Sequence, residues 1–214
     1  MVNLNIDDCK LFIIRHAEAQ KNIEKMHGGG TQDLTPRGVV ELKKMSTTLR
    51  ETTSGSPTVV YHQKEGRSQQ TAQVIREILD INVRLATDIS GVGLGIIANL
   101  NEDELLRQYP HVSKILSEWR TGGAKLEDYP DIPGREHMND FAIRIGRGLQ
   151  KILQPHTNVV IIGTTSTINM LNHLLQENGK FVKERYDFVS FPFSGINTWQ
   201  LSLVNPPHKT FSSF

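Results

Sequence analysis

An α/β fold with a mostly parallel sheet and helices on both faces is what this chain of 214 residues predicts. Three observations lead there. Two continuous apolar runs, Leu11-Phe12-Ile13-Ile14 and Val159-Val160-Ile161-Ile162, lack polar alternation, the pattern of strands buried on both faces. Strand-like segments alternate with segments of helical periodicity, which makes a three-layer sandwich the natural architecture. Both apolar runs also give way to polar turns rich in chemistry, Arg15-His16 and Gly163-Thr164. In such folds ligands bind beyond the carboxyl ends of the strands.

The elements follow in order. The first strand covers 11–14, and a polar loop containing Gly28-Gly29-Gly30 comes after it. Thr35 caps a helix with Pro36 at its first position, and Val39, Val40, Leu42, Met45 and Leu49 recur at helical spacing. A second strand is expected over 58–61, a helix over 66–79 and a third strand over 82–89. Gly91-Val92-Gly93-Leu94-Gly95 reads as a loop, because it lacks the spacing and the strand-first context of a dinucleotide-binding turn. Asn101 and Glu104 resemble a capping box opening a helix that stops before Pro110. A short helix over 112–119, a Pro/Gly-rich loop over 122–134 and a longer helix over 137–153 come next. After the strand at 159–162, a helix carries Ile168, Leu171, Leu174 and Leu175, and an alternating segment over 197–204 closes the sheet.

Composition removes several classes of function. The 24 Lys and Arg residues against 23 Asp and Glu leave a net charge of +1, and the basic residues are scattered, so neither a nucleic-acid footprint nor a polybasic membrane contact is expected. The single cysteine, Cys9, leaves no intrachain disulfide and no Cys-based metal site. The first eight residues lack the basic and apolar regions of a signal peptide, and no run reaches membrane-spanning length. A single domain over 1–214 and a cytoplasmic location are the expectations, with oligomeric state open and a homodimer among the options.

The strand ends carry the chemistry. A histidine accepts a phosphoryl group only on a neutral ring nitrogen, with the other nitrogen donating to a fixed acceptor. A phosphoryl group in flight spreads negative charge over its oxygens, which suits the fork of an arginine. Arg15 and His16 supply one of each, and Arg67 at the start of a helix adds a second fork. A bound anion explains a cation at that position better than solvation does, since the helix dipole disfavours it.

The motifs around these residues resemble the histidine phosphatase superfamily, the phosphoglycerate mutase-like group, in order along most of the chain. Arg15-His16-Ala17-Glu18 matches its Arg-His-Gly/Ala-Glu signature, with Asn22 at the spacing of its Asn. Asp33-Leu34-Thr35-Pro36-Arg37-Gly38 matches the Leu-Thr-x-x-Gly helix start. Tyr61, Arg67 and Gln70-Thr71-Ala72 match the segment of the second arginine. Gly134-x-Glu136 with Asp140 and Arg144 resembles a further motif helix, with one extra residue after the glycine. The resemblance implies that His16 is the phospho-accepting nucleophile, that Arg15 and Arg67 clamp the phosphoryl oxygens and that Asn22 lines the pocket. It implies a small phosphorylated or anionic ligand, no cofactor and no metal.

Two expected partners are replaced. The family's second histidine falls on Thr164, followed by Thr165, and its glutamate acid falls on Gly91. The Ser-Ser-Pro turn after the second strand reads His62-Gln63-Lys64. Losing one preorganised donor costs about 10²–10³ in rate and losing a general acid about 10²–10⁴, so alkyl phosphates with poor leaving groups are expected to react slowly. Three accounts stay open. Leading is a divergent phosphohydrolase acting on a small or activated substrate, whose leaving group needs no proton. In it, or in a locally repaired version, His62, Lys64, Thr164 and Thr165 bind substrate, and Asp88 or Glu102 is the candidate acid. The alternatives are a catalytically silent module binding an anionic ligand or protein partner, and non-hydrolytic chemistry in a reshaped pocket.

Overall fold

A computed structural model describes residues 9–30, 32–120, 131–155, 157–201 and 208–211. Its strands are β1 Cys9–Arg15, β2 Thr58–His62, β3 Asn82–Leu85, β4 Asn158–Gly163, β5 Ile196–Leu201 and β6 His208–Phe211. They form one sheet in the order β3-β2-β4-β1-β5-β6. The strands from β3 to β1 are parallel, and β5 and β6 join antiparallel at one side. The helices are α1 Gln20–Ile23, α2 Pro36–Thr53, α3 Gly66–Leu79, α4 Glu102–Gln108, α5 Pro110–Arg120, α6 Met138–Ile152 and α7 Thr165–Gln176.

The apolar run of β1 divides the core, because successive strand side chains point to opposite faces. Leu11 and Ile13 pack with Phe141, Ile145 and Leu149 of α6 and Ile168, Leu171 and Leu175 of α7. Phe12 and Ile14 pack with Leu42, Met45 and Leu49 of α2 and Ala72 and Ile75 of α3. Each of these four β1 residues is at most 1% exposed, so a polar substitution on either face would bury an unpaired group. A smaller cluster of Ile97, Leu105, Leu116 and Ile132 holds the segment around α4 and α5 beside this core.

Several boundaries differ from the sequence expectation. The third strand ends at Leu85 rather than near 89. Beyond it, the Ala86 amide still donates to the His62 carbonyl, but the chain then turns at Ile89, whose amide donates back to Ala86. Pro110 opens α5 instead of preceding it by two residues; a proline at the first helical position sacrifices an amide that has no partner in any case. Asn101 and Glu104 do form a reciprocal capping box. The four-residue α1 and the outer strand β6 were not expected from periodicity, being too short to show one. Of the closing strand expected over 197–204, residues 202–204 lie outside the described set, as do 122–130 of the expected loop.

The parallel strands end in register. Arg15 pairs with Gly163, and His62 with Ile162. The His16 amide donates to the Gly163 carbonyl at 3.1 Å, which ties the residue after β1 to the end of β4. Three chain segments far apart in sequence therefore meet at one edge.

Candidate active site

At that edge lies a cavity of about 530 Å³, lined by Arg15, His16, Lys21, Asn22, Gln32, Lys64, Glu65, Arg67, Gly91, Thr164, Thr165 and Ser166 among others. Of the residues expected from sequence, it brings together Arg15, His16, Asn22, Lys64, Arg67, Thr164 and Thr165.

His16 is 3% exposed. Its Nδ1 lies 2.8 Å from the Ala17 carbonyl oxygen. A carbonyl only accepts, so Nδ1 carries the ring proton and Nε2 keeps its lone pair. The Arg67 Nε–H donates to that Nε2 at 3.1 Å. Burial first, then the Arg67 charge, pushes the His16 pKa well below the ordinary imidazole value, against the opposing effect of the Ala17 bond. The ring is therefore neutral across the physiological range, with a lone pair on Nε2.

Arg15 bonds the Phe191 carbonyl and lies over the Phe193 ring, 3.9 Å from its centroid. Its Nε is buried with no hydrogen-bond partner among the described residues. Burial, then repulsion from Arg67, lowers its pKa to about 10, so it stays charged at neutral pH. Arg67 is 5% exposed and bonds Gln32 Oε1 as well as His16. Its own pKa is lowered, chiefly by burial.

The flanking motifs form the frame that holds these groups. Glu18 accepts from the Thr35 hydroxyl at 2.8 Å and pairs with Arg37, joining the chain after β1 to the start of α2. Burial raises the Glu18 pKa, but the bonds from Arg37 and Thr35 outweigh it and leave it below the usual carboxylate value. Thr35 caps α2 by accepting from the Gly38 amide. A Cβ at Gly38 would meet the Glu18 carbonyl oxygen at 2.4 Å, which is why a glycine stands there. The Thr71 hydroxyl accepts from the Ala17 amide at 3.1 Å, and Gln70 Oε1 accepts from the Leu34 amide at 3.0 Å. On α6, Arg144 binds both oxygens of Glu136, the carbonyls of Asp88, Ser90 and Gly91, and the Ser90 hydroxyl. It fixes the loop that brings Gly91 to the cavity.

The replaced positions touch one another. A Cβ on Gly91 would lie 3.1 Å from Thr164 Oγ1 and 3.6 Å from Ser166 Oγ. Thr164 Oγ1 lies 3.2 Å from both Ser166 Oγ and Thr167 Oγ1. Gln63 is wholly buried and holds this turn from the opposite strand. Its Nε2 donates to Thr167 Oγ1 at 2.6 Å, and its Oε1 accepts from the Thr164 amide at 3.0 Å.

Three expected residues are elsewhere. His62 is absent from the cavity lining, and its Nδ1 is spent on the Gln63 carbonyl at 2.7 Å. Asp88 pairs with Lys151 on the far side of its loop, and its pKa is lowered mainly by that bond. Glu102 pairs with Lys25 at 3.7 Å and does not line the cavity. Sequence reasoning passed over Gln63, Lys21, Gln32 and Glu65. Gln63 offered no signal, since its partners lie about a hundred residues away in sequence.

The chain is an α/β protein with a cavity at its strand ends, and comparison with known proteins supplies the family. The model of the histidine phosphatase superfamily (branch 1) matches residues 11–185, and the chain belongs to that family. A sequence search of curated proteins gave no match. Among solved structures, a candidate alpha-ribazole-5'-P phosphatase from Escherichia coli K-12 aligns with TM-score 0.75 and 16% identity, over 96% of this chain and 97% of that one. YhfR from Bacillus stearothermophilus aligns with TM-score 0.74 and 16% identity, over 95% and 96%. The mycobacterial glucosyl-3-phosphoglycerate phosphatase Rv2419c, in complex with VO3, aligns with TM-score 0.71 and 15% identity, over 96% and 98%. At these identities the likeness is one of fold. No helix among the described residues is long and apolar enough to cross a membrane.

Proposed function

We propose that this chain is a phosphohydrolase that carries its phosphoryl group on His16 Nε2 and acts on small or activated phosphorylated substrates. The observation that carries the reading is the state of His16: a buried, neutral ring with its proton fixed on Nδ1 and its lone pair on Nε2, beside Arg67. A nucleophile needs that tautomer, and a histidine serving only as a structural ion-pair partner does not.

The electrostatics agree. Arg15 and Arg67 offer forks to a transferring phosphoryl group, and the unpartnered Arg15 Nε supplies a donor that a phosphoryl oxygen would satisfy. When substrate enters, its phosphoryl group takes the Arg67 Nε–H, which frees the Nε2 lone pair for in-line attack. The Thr164 and Ser166 hydroxyls stand where they can donate to an equatorial oxygen in place of a second imidazole. A neutral hydroxyl stabilises charge less than an imidazolium does, so the gain per contact is smaller.

The cavity is large enough for a phosphoryl group with a compact organic substituent, and most of its lining residues are charged, polar or glycine, with Val92 and Leu94 the aliphatic exceptions. That lining favours a phosphorylated small molecule over the extended apolar substrate that non-hydrolytic chemistry in a reshaped pocket would suggest. The test is phosphate release from acetyl phosphate, phosphoimidazole, phenyl phosphate and glycerol phosphate, with His16→Ala as control. The reading predicts turnover of the first two that His16→Ala abolishes. Equal, background release by both proteins on all four would contradict it and leave a binding module, which phosphate-dependent thermal stabilisation would then reveal.

A further inference from the structure

We propose that Glu65 is the proton-transfer residue of this site, taking the place of the acid lost at Gly91. The inference rests on the His16 reading above. Glu65 is the sole carboxylate among the described residues lining the cavity, where the other charged or titratable groups are Arg15 of β1, Lys21 of α1, Lys64 of its own turn, Arg67 of α3 and the neutral His16 ring.

Every other carboxylate near the strand ends is committed. Glu18 is held by Arg37 and Thr35, Glu136 by Arg144 and the Gly93 amide, Asp88 by Lys151, Glu102 by Lys25, and Asp33 accepts from Gln70. Glu65 is different. Its Oε2 is buried and makes no hydrogen bond to any described residue. It stands at the N-cap of α3, yet its side chain does not cap the helix. A buried carboxylate oxygen with no structural partner is costly, and such groups persist where a substrate or a reaction uses them. Its position two residues before Arg67, in the lining of the same cavity, sets it beside the proposed phosphoryl clamp.

Turnover divides into two halves. In the first, His16 Nε2 attacks phosphorus; the P–N bond forms as the P–O bond to the leaving group breaks, and the Glu65 carboxyl proton passes to the departing oxygen. In the second, the Glu65 carboxylate takes a proton from water as that water attacks phosphorus. The P–N bond breaks, inorganic phosphate leaves, and neutral His16 and protonated Glu65 are restored.

The experiment compares wild type, Glu65→Gln and His16→Ala on a leaving-group series: acetyl phosphate, 4-nitrophenyl phosphate, phenyl phosphate and glycerol phosphate. The amide preserves shape, and the absence of a side-chain cap leaves α3 intact, which a thermal melt checks. Glu65→Gln is expected to lower kcat/KM on glycerol phosphate about 100-fold or more and to leave attack on acetyl and nitrophenyl phosphates close to wild type. A loss of kcat/KM of equal size on every substrate would mean that Glu65 only steadies Arg67, and no loss would mean no role; either overturns the proposal. If acetyl phosphate is hydrolysed in a His16-dependent way while Glu65→Gln changes no leaving-group dependence, this inference falls and the function stands. If wild type turns over none of the series, both fall.

Discussion

The two walls of the cavity differ in how they are built. The wall from β1, α2 and α3 keeps a set of contacts in which each motif residue has one role. His16 presents Nε2, Arg67 covers it, Thr71 and Gln70 hold the neighbouring backbone, and Glu18 with Arg37 anchors α2. The wall from β2, β4 and the loop around Gly91 is held by different contacts. Gln63 reaches across to the start of α7, and the Thr164 hydroxyl occupies the space beside Gly91. On the proposed reading, one wall can hold the nucleophile and its arginine while the other is built from different residues, provided that each wall satisfies its own buried polar groups.

The largest expected effect comes from breaking the first wall. His16→Ala should reduce turnover to background on every substrate, read as phosphate release. Arg67→Lys keeps the charge but loses the fork and the bond to Nε2, and should cost about 10²–10³ in kcat. The second wall should respond in a coupled manner. Gly91→Glu and Thr164→His each place bulk in a space the other residue's partner fills, so each alone should help little or reduce stability, while the double variant should exceed the product of the singles on glycerol phosphate. Gln63→Ala leaves the half-buried Thr164 amide without its acceptor and should destabilise by about 1 kcal/mol, measured by urea unfolding.

A smaller effect concerns acid. Burial lowers the His16 pKa in the folded chain. The unfolded chain therefore binds a proton that the folded one refuses, once pH drops below the unfolded value of about 6.5. The stability contributed by neutral His16 is present above that value and lost as pH falls toward the folded pKa. Wild type should lose about 1 kcal/mol more than His16→Asn between pH 7.5 and 5.5, seen as a difference in denaturant midpoints.

The same contrast explains what the sequence made legible. The fold was readable because β1 and β4 are unbroken apolar runs whose two faces sort onto two helix layers. The first wall was readable because its partners are carried in short motifs that keep their spacing. Gln63 was not, since it looks like a polar turn residue until β2 and β4 pair and bring Thr167 within 2.6 Å. His62 misled for the complementary reason: it sits next to the residue that matters, at the same strand end, with its ring bonded to the backbone instead of facing the cavity. Asp88 and Glu102 were chosen for proximity along the chain, whereas each is neutralised by a lysine that only the tertiary structure brings near.

The central claim is that His16 carries the phosphoryl group. Mixing the protein with acetyl phosphate, quenching in denaturant at alkaline pH and mapping the adduct by peptide mass spectrometry tests it directly. The account predicts an acid-labile, base-stable phosphoryl group on the peptide holding Arg15 and His16, absent in His16→Ala and lost on dilution into buffer as phosphate is released. Phosphate release from acetyl phosphate with no adduct at His16 at any quench time, and with His16→Ala equally active, would contradict it.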